Sequence, residues 1–186
     1  MDGPRIEVAS DVVGFLTEQH GQMQRLFEDV LAARGKVRSY AFYKLRRLLA
    51  VHETAEEEIV HPMARRALPD GDNLVATCLH EERDTKVALS ELEKLEVDGA
   101  EFEQKLLRLR EAVLRHMQLE EEEEFPQLTL LIDPARLEQM RRAVEFAEAV
   151  APTRPHPVLT RRSAHVVAGP VVAIVDRVRD VVAGKV

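Results

Sequence analysis

Four histidines and two glutamates sit in this chain at spacings that can build a metal-binding cluster: His20, the pair His52-x-x-x-Glu56, His80, and the pair His116-x-x-x-Glu120. Neutral imidazoles and ionised carboxylates are both good donors to divalent and trivalent cations. Residues four apart on an α-helix are turned by about 40° and separated by one turn, so each His and its Glu point the same way. The pairs also belong to a repeat. His52–Pro62 and His116–Pro126 align without gaps, sharing the His, three consecutive Glu and the final Pro. His20 and His80, 60 residues apart, precede them. The pattern predicts two related αα-hairpins, each with one His on its first helix and His-x-x-x-Glu on its second.

All six residues fall on the apolar stripes of their helices, which predicts that they converge in the interior. An ionised carboxylate in a bundle core costs several kcal/mol unless something satisfies it. A cation would satisfy the whole group; the alternative is a buried network of His–Glu hydrogen bonds. Nitrogen and oxygen donors without thiolate disfavour Cu(I) and structural zinc. Six protein ligands are too many for one tetrahedral zinc. They suit two octahedral ions bridged by carboxylates, with positions left for a bridging oxygen species and an exogenous ligand. Iron fits best, manganese next, and a zinc pair third.

The elements that must position these residues are helices throughout, because apolar residues recur at helical spacing. A first helix starts near Ser10 or Asp11, carries Val13, Leu16, His20, Met23, Phe27 and Val30 inward, and closes at Gly35. A second runs from near Ser39 to Pro62 or one turn beyond, with Leu45, Leu48, Leu49, His52, Glu56 and Ile59 along its stripe. Pro69-Asp70-Gly71-Asp72 is a turn. The third helix is expected over Asn73–Leu95, with Thr77, His80, Asp84, Val87 and Leu92 on one face. The fourth is expected from Ala100 to Glu124, ended by Pro126, and a shorter fifth from Pro134 with Asp133 as its cap. Four long helices on short links predict an all-α, antiparallel up-down-up-down bundle over 1–150.

The chain has 186 residues and a net charge of −7, which argues against a nucleic-acid partner. A single cysteine, Cys78, excludes a disulfide framework and a Cys-based zinc site, and it reads as a small buried residue. The longest apolar run, around Val171–Val175, is far below the roughly 20 residues needed to span a bilayer. The amino terminus lacks the basic-then-apolar pattern of a signal peptide, so a cytoplasmic location is expected. Prolines at 152, 155 and 157 mark a stiff linker. The extension 151–186 carries a Val-rich amphipathic stretch and is basic, with six Lys/Arg and two Asp/Glu from residue 152 onward. It is read as a further helix packing on the domain or on a second copy in a homodimer.

Other candidates are weaker on geometric grounds. His61 lies about 180° from His52 on an unbroken helix and is expected at the surface, so Glu58-x-x-His61 does not share the site. His52-Glu53-x-x-Glu56 lacks the second His of a zincin. Of the run 120–124, only Glu120 and Glu124 can face inward, while Glu57 and Glu121 are expected exposed or beside the ligands. His156 and His165 get no role.

The arrangement His20, His52-x-x-x-Glu56, His80, His116-x-x-x-Glu120 resembles the hemerythrin-like, or HHE cation-binding, domain across about residues 10–127. The tail resembles an extension of some bacterial members. The resemblance implies a four-helix bundle with a non-heme di-iron centre, two Fe ions joined by carboxylates and an oxo or hydroxo bridge. Its partners would be small ligands: O2, peroxide or NO. Hemerythrins that carry O2 reversibly have five His, the third helix giving His-x-x-x-His. Here Asp84 stands four residues after His80 and becomes a candidate seventh ligand, and Glu120 follows His116 by four residues where that family has five. A harder donor set favours Fe(III) and disfavours simple O2 carriage. The expected functions are therefore ligand binding or sensing, then catalase-like peroxide disproportionation, then iron handling or a metal-stapled structural role.

Overall fold

The computed structural model describes residues 11–150, and over that range the backbone is helical. Helix α1 spans Val12–Ala32, α2 Gly35–Ala55, α3 His61–Ala67, α4 Gly71–Leu92, α5 Ala100–Leu119, α6 Phe125–Leu131 and α7 Pro134–Val150. Single π-helical turns, Glu56–Val60 and Glu120–Glu124, join α2 to α3 and α5 to α6. The result is four long helices in antiparallel sequence, with α7 packed on α1 and α2. The extension 151–186, for which a helix and a dimer contact are expected, lies outside the described residues.

Local chemistry sets the ends. The Asp11 carboxylate accepts from Gly14 N at 2.9 Å and caps α1. Asp133 does the same for Ala135 N at 2.9 Å, with Pro134 first in α7. Gly35 turns the chain with φ 57°, a left-handed conformation open to glycine, and its amide is held by Asp98. At Gly71 a Cβ would sit 2.4 Å from Ala64 O, so α3 and α4 meet closely only because that residue has no side chain. Pro126 does not end the fourth helix. The π turns absorb both repeat prolines: His61 N and Phe125 N bond five residues back, to Glu56 O and Glu120 O, and the helix resumes through Pro62 and Pro126.

Two apolar clusters fill the bundle. One, near α7, includes Leu16, Ile59, Val60, Val75, Phe125, Leu128 and Met140. The other, at the far end, includes Met23, Phe27, Leu45, Leu89, Phe102, Leu106 and Val113. Between them runs a layer of buried polar side chains: Gln19, His20, His52, Glu53, Glu56, His61, Glu82, His116, Glu120 and Glu124.

Arg38 is fully buried in the far cluster, which its charge did not predict. Its Nε donates to Val30 O at 2.9 Å, its Nη2 to Glu103 at 3.0 Å, and its guanidinium lies 5.5 Å from the Phe102 ring. It ties the end of α1 to α5. Arg38→Ala should lower unfolding free energy by about 2–4 kcal/mol, read by urea denaturation, because it leaves Val30 O unpaired and a cavity behind.

Candidate metal centre

The polar layer concentrates donors from the four long helices and the two π turns. Donor atoms of His20, His52, Glu56 and Glu120, all buried, lie within 4.8 Å of one another. Glu56, Glu82 and His116 form an adjoining group within the same limit, and so do Cys78, His116 and Glu120. Glu56 and Glu120 each belong to two groups. They therefore stand between two neighbouring positions where a cation could sit.

The outer hydrogen bonds aim the imidazoles. His52 Nδ1 donates to Gln19 Oε1 at 2.7 Å, His20 Nδ1 to Glu121 Oε1 at 2.7 Å, and His116 Nδ1 to Glu81 Oε2 at 3.1 Å. Each ring is thereby fixed with Nε2 facing inward, the arrangement that orients a metal-binding histidine. The Nε2 atoms of His20 and His52 stand 3.2 Å apart, and two lone pairs at that distance need a proton or a cation between them. His20 is also stacked on Phe125, with ring centroids 5.7 Å apart.

The inner carboxylates are the test of fit. Both oxygens of Glu56, both of Glu120 and His116 Nε2 are buried with no hydrogen-bond partner. Imidazole nitrogens stand nearby, His52 Nε2 at 3.2 Å from Glu56 and His20 and His116 Nε2 each at 3.4 Å from Glu120, but without hydrogen-bond geometry. Five unpartnered atoms in one buried layer are expensive for a fold and natural for cation ligands. Electrostatics separates the two carboxylates. Burial raises Glu120, but His116, His20 and His52 outweigh it and hold its pKa at about 2. Burial and the facing Glu120 and Glu82 push Glu56 well above the usual carboxylate range. Burial, with His20 beside it, holds His52 well below the ordinary histidine value, which keeps its lone pair free.

The structure corrects the third helix. His80 and Asp84 are 69% and 70% exposed and point to solvent, away from the other donors. The buried stripe of α4 is Val75, Cys78, Glu82, Thr85, Leu89 and Leu92, on a different face. The face through His80 carries a histidine but few large apolar residues; the one the fold buries is richer in them. His80→Ala and Asp84→Ala should each leave cation content unchanged by elemental analysis, whereas Glu82→Ala should lower it.

His61 is corrected in the opposite direction. It is buried, its Nε2 donating to Glu82 at 2.6 Å and its Nδ1 to Glu124 at 3.3 Å. The π turn gives back roughly a quarter turn relative to an α-helix, and swings His61 from the far side toward the centre. Burial alone would lower its pKa, but Glu124 and Glu82 drive it up to about 10. Cys78 is buried as expected, with its Sγ donating to Glu124 at 3.8 Å, and burial pushes its thiol pKa up. Lys86 pairs with Glu57 and lies 3.8 Å from Glu82 and 3.9 Å from buried Glu53.

The contacts reveal the true register of the repeat. Gln19 holds His52 as Glu81 holds His116, so α1 and α4 correspond with an offset of 62 residues and Glu82 takes the place of His20. On the second helices the offset is 64, pairing Glu56 with Glu120 and His61 with Phe125. Phe125 packs on His20; His61 packs on Glu82.

The family model for the hemerythrin HHE cation binding domain matches residues 11–128. The crystal structure of a hemerythrin HHE cation binding domain-containing protein from Mycobacterium kansasii superposes with a TM-score of 0.65, at 19% identity, covering 90% of this chain and 98% of that one. No curated protein matches. No helix among the described residues is long and apolar enough to cross a membrane.

Proposed function

The chain belongs to the hemerythrin HHE cation-binding domain family, and from that premise we propose that it is a non-heme di-iron protein that binds or senses dioxygen, peroxide or nitric oxide. The observation that carries this reading is the pair Glu56 and Glu120, buried, without hydrogen bonds at any of their four oxygens, facing three imidazole Nε2 atoms. His20, His52, His116, Glu56, Glu82 and Glu120 would hold the cations. Two iron ions held there would supply adjacent redox-active Lewis acids. Manganese or zinc suits the same donors less well.

The chain's own residues set the conditions. Gln19, Glu81 and Glu121 fix the three rings. The apolar clusters above and below the layer exclude water, which strengthens every charge interaction inside it. Three carboxylates against three imidazoles form a hard donor set that favours the oxidised metal and works against reversible O2 carriage.

A second reading, catalase-like disproportionation of peroxide, is favoured by the row Glu57, Lys86, Glu82. Glu57 is 35% exposed and bonded to Lys86, whose ammonium lies 3.8 Å from Glu82. A row of charged side chains thus leads from the surface to the centre, where Glu82, its pKa raised by burial to about 7, would take up or release a proton. One experiment addresses both readings. Purified protein should carry about two iron ions per chain, with charge-transfer absorption in air that bleaches with dithionite. A stable new spectrum on peroxide addition without gas supports binding or sensing. Oxygen evolution far above that of free iron, and lost in His116→Ala, selects the enzyme. A preparation that takes up no iron, manganese or zinc overturns both.

A further inference from the structure

The two halves of the centre follow one local plan with different residues. In the first, two rings are aimed: His20 and His52 converge at 3.2 Å between Nε2 atoms, beside Glu56 and Glu120. In the second, the plan's other ring is missing. Glu82 stands where the repeat places His20, and only His116 offers a nitrogen to that position.

The second difference is occupancy by neighbouring side chains. Both rings of the first position turn their outer nitrogens to partners outside the centre and face each other through Nε2, so a cation entering there need displace only the proton shared between them. One oxygen of Glu82 is already engaged, accepting from His61 Nε2 at 2.6 Å, while the other is buried without a hydrogen bond and lies 3.8 Å from the Lys86 ammonium. That His61 contact exists because Phe125, its counterpart in the repeat, is apolar and leaves His20 free of any such claim. A cation that draws on Glu82 weakens a buried, charge-assisted hydrogen bond at one oxygen and approaches the Lys86 ammonium at the other.

Resting on the dinuclear reading above, we propose that the two positions fill in a fixed order. The first cation sits among His20, His52, Glu56 and Glu120; the second, held more weakly, sits among His116, Glu82 and the two shared carboxylates. Glu82, through His61, sets the gap between the steps. Breaking one charge-assisted hydrogen bond corresponds to about tenfold or more in affinity.

The test is a titration of the metal-free full-length chain, labelled with 15N in its histidine rings, with Zn(II). Up to one equivalent, the Nε2 signals of His20 and His52 should move while that of His116 stays; His116 should move only between one and two equivalents. The second step should be about tenfold weaker or more. In Glu82→His, which restores the repeat's ring and removes the carboxylate from His61, the steps should merge. His116 moving first, or the three rings moving together in the parent chain, overturns the order without any variant. Unmoved steps in a folded Glu82→His chain overturn the part given to Glu82. Rings that answer to neither Zn(II) nor Fe(II) overturn the dinuclear reading itself, and this proposal with it.

Discussion

Glu56→Leu should abolish the cation centre and at the same time stabilise the metal-free fold. Glu56 is fully buried, both its oxygens lack hydrogen bonds, and it belongs to both donor groups. Removing it strips one ligand from each cation position, and affinity should fall on the order of a hundredfold or more. In the metal-free chain the same carboxyl is a buried polar group with no partner, which costs about 1–3 kcal/mol. Leucine fills similar volume with no polar atom, so the variant should unfold at higher urea than the metal-free parent. With saturating Zn(II) the ranking should reverse, because only the parent gains binding free energy. Glu120→Leu should lose the cation equally but gain less or even lose stability when metal-free, since Glu120 pairs with three imidazoles that hold it ionised. A Glu56→Leu chain that keeps its cations, or that is weakened in their absence as an ordinary core glutamate network would be, removes the basis for the centre.

The architecture was legible in the sequence because the bundle's stripes are strong where they are apolar. Leu16, Met23, Phe27 and Val30 on α1 and Phe102, Leu106, Leu109 and Val113 on α5 are buried as their spacing requires. His20, His52, Glu56, His116 and Glu120 share those stripes, and the structure brings all five together. Two things were not legible. On α4 the competing faces differ by only a few apolar residues, and pairing His80 with His20 like for like puts the register two residues off. The buried pattern Val75, Cys78, Thr85, Leu89, Leu92 could have found the right face, with Glu82 its lone carboxylate.

The second gap is backbone geometry. His61 looks external on any uninterrupted α-helix, and nothing in residue type alone marks Glu56–Val60 as a π turn. The signal was present in combination: the same His-x-x-x-Glu-Glu-Glu with Pro at its end occurs twice, and a proline within a continuing helix demands a local break in the bonding. Both prolines follow a π turn. The repeat therefore encodes a widened turn as well as ligands, and the widening brings His61 into the layer.

That placement of His61 has a measurable consequence. The metal-free protein should become less stable as pH rises from 7 to 9, at about 1.4 kcal/mol per pH unit for one extra proton held by the folded state. Burial alone would lower the His61 pKa, but Glu124 and Glu82 raise it from 6.5 to about 10, so its contribution is complete below 6.5 and is lost as pH climbs toward 10. Burial raises Glu82 from 4.5 to about 7 despite the pull of His61, and its contribution has the same sign, fading as pH rises through 7. Glu120 runs the other way: held at about 2, it contributes above 4.5 and is lost only as pH falls toward 2, outside this window. Urea denaturation at pH 7, 8 and 9 should show the decline, and His61→Phe, which installs the residue found at the matching point of the repeat, should make it shallower. The remainder comes from His20, Glu53 and Glu56, whose pKa values are also raised in the fold. Bound cations should change the slope as well, because the ligands release their protons to solvent when the metal binds and affinity rises with pH. A metal-free parent whose stability is level or rising over this range would mean that His61 is not held as an imidazolium between Glu82 and Glu124.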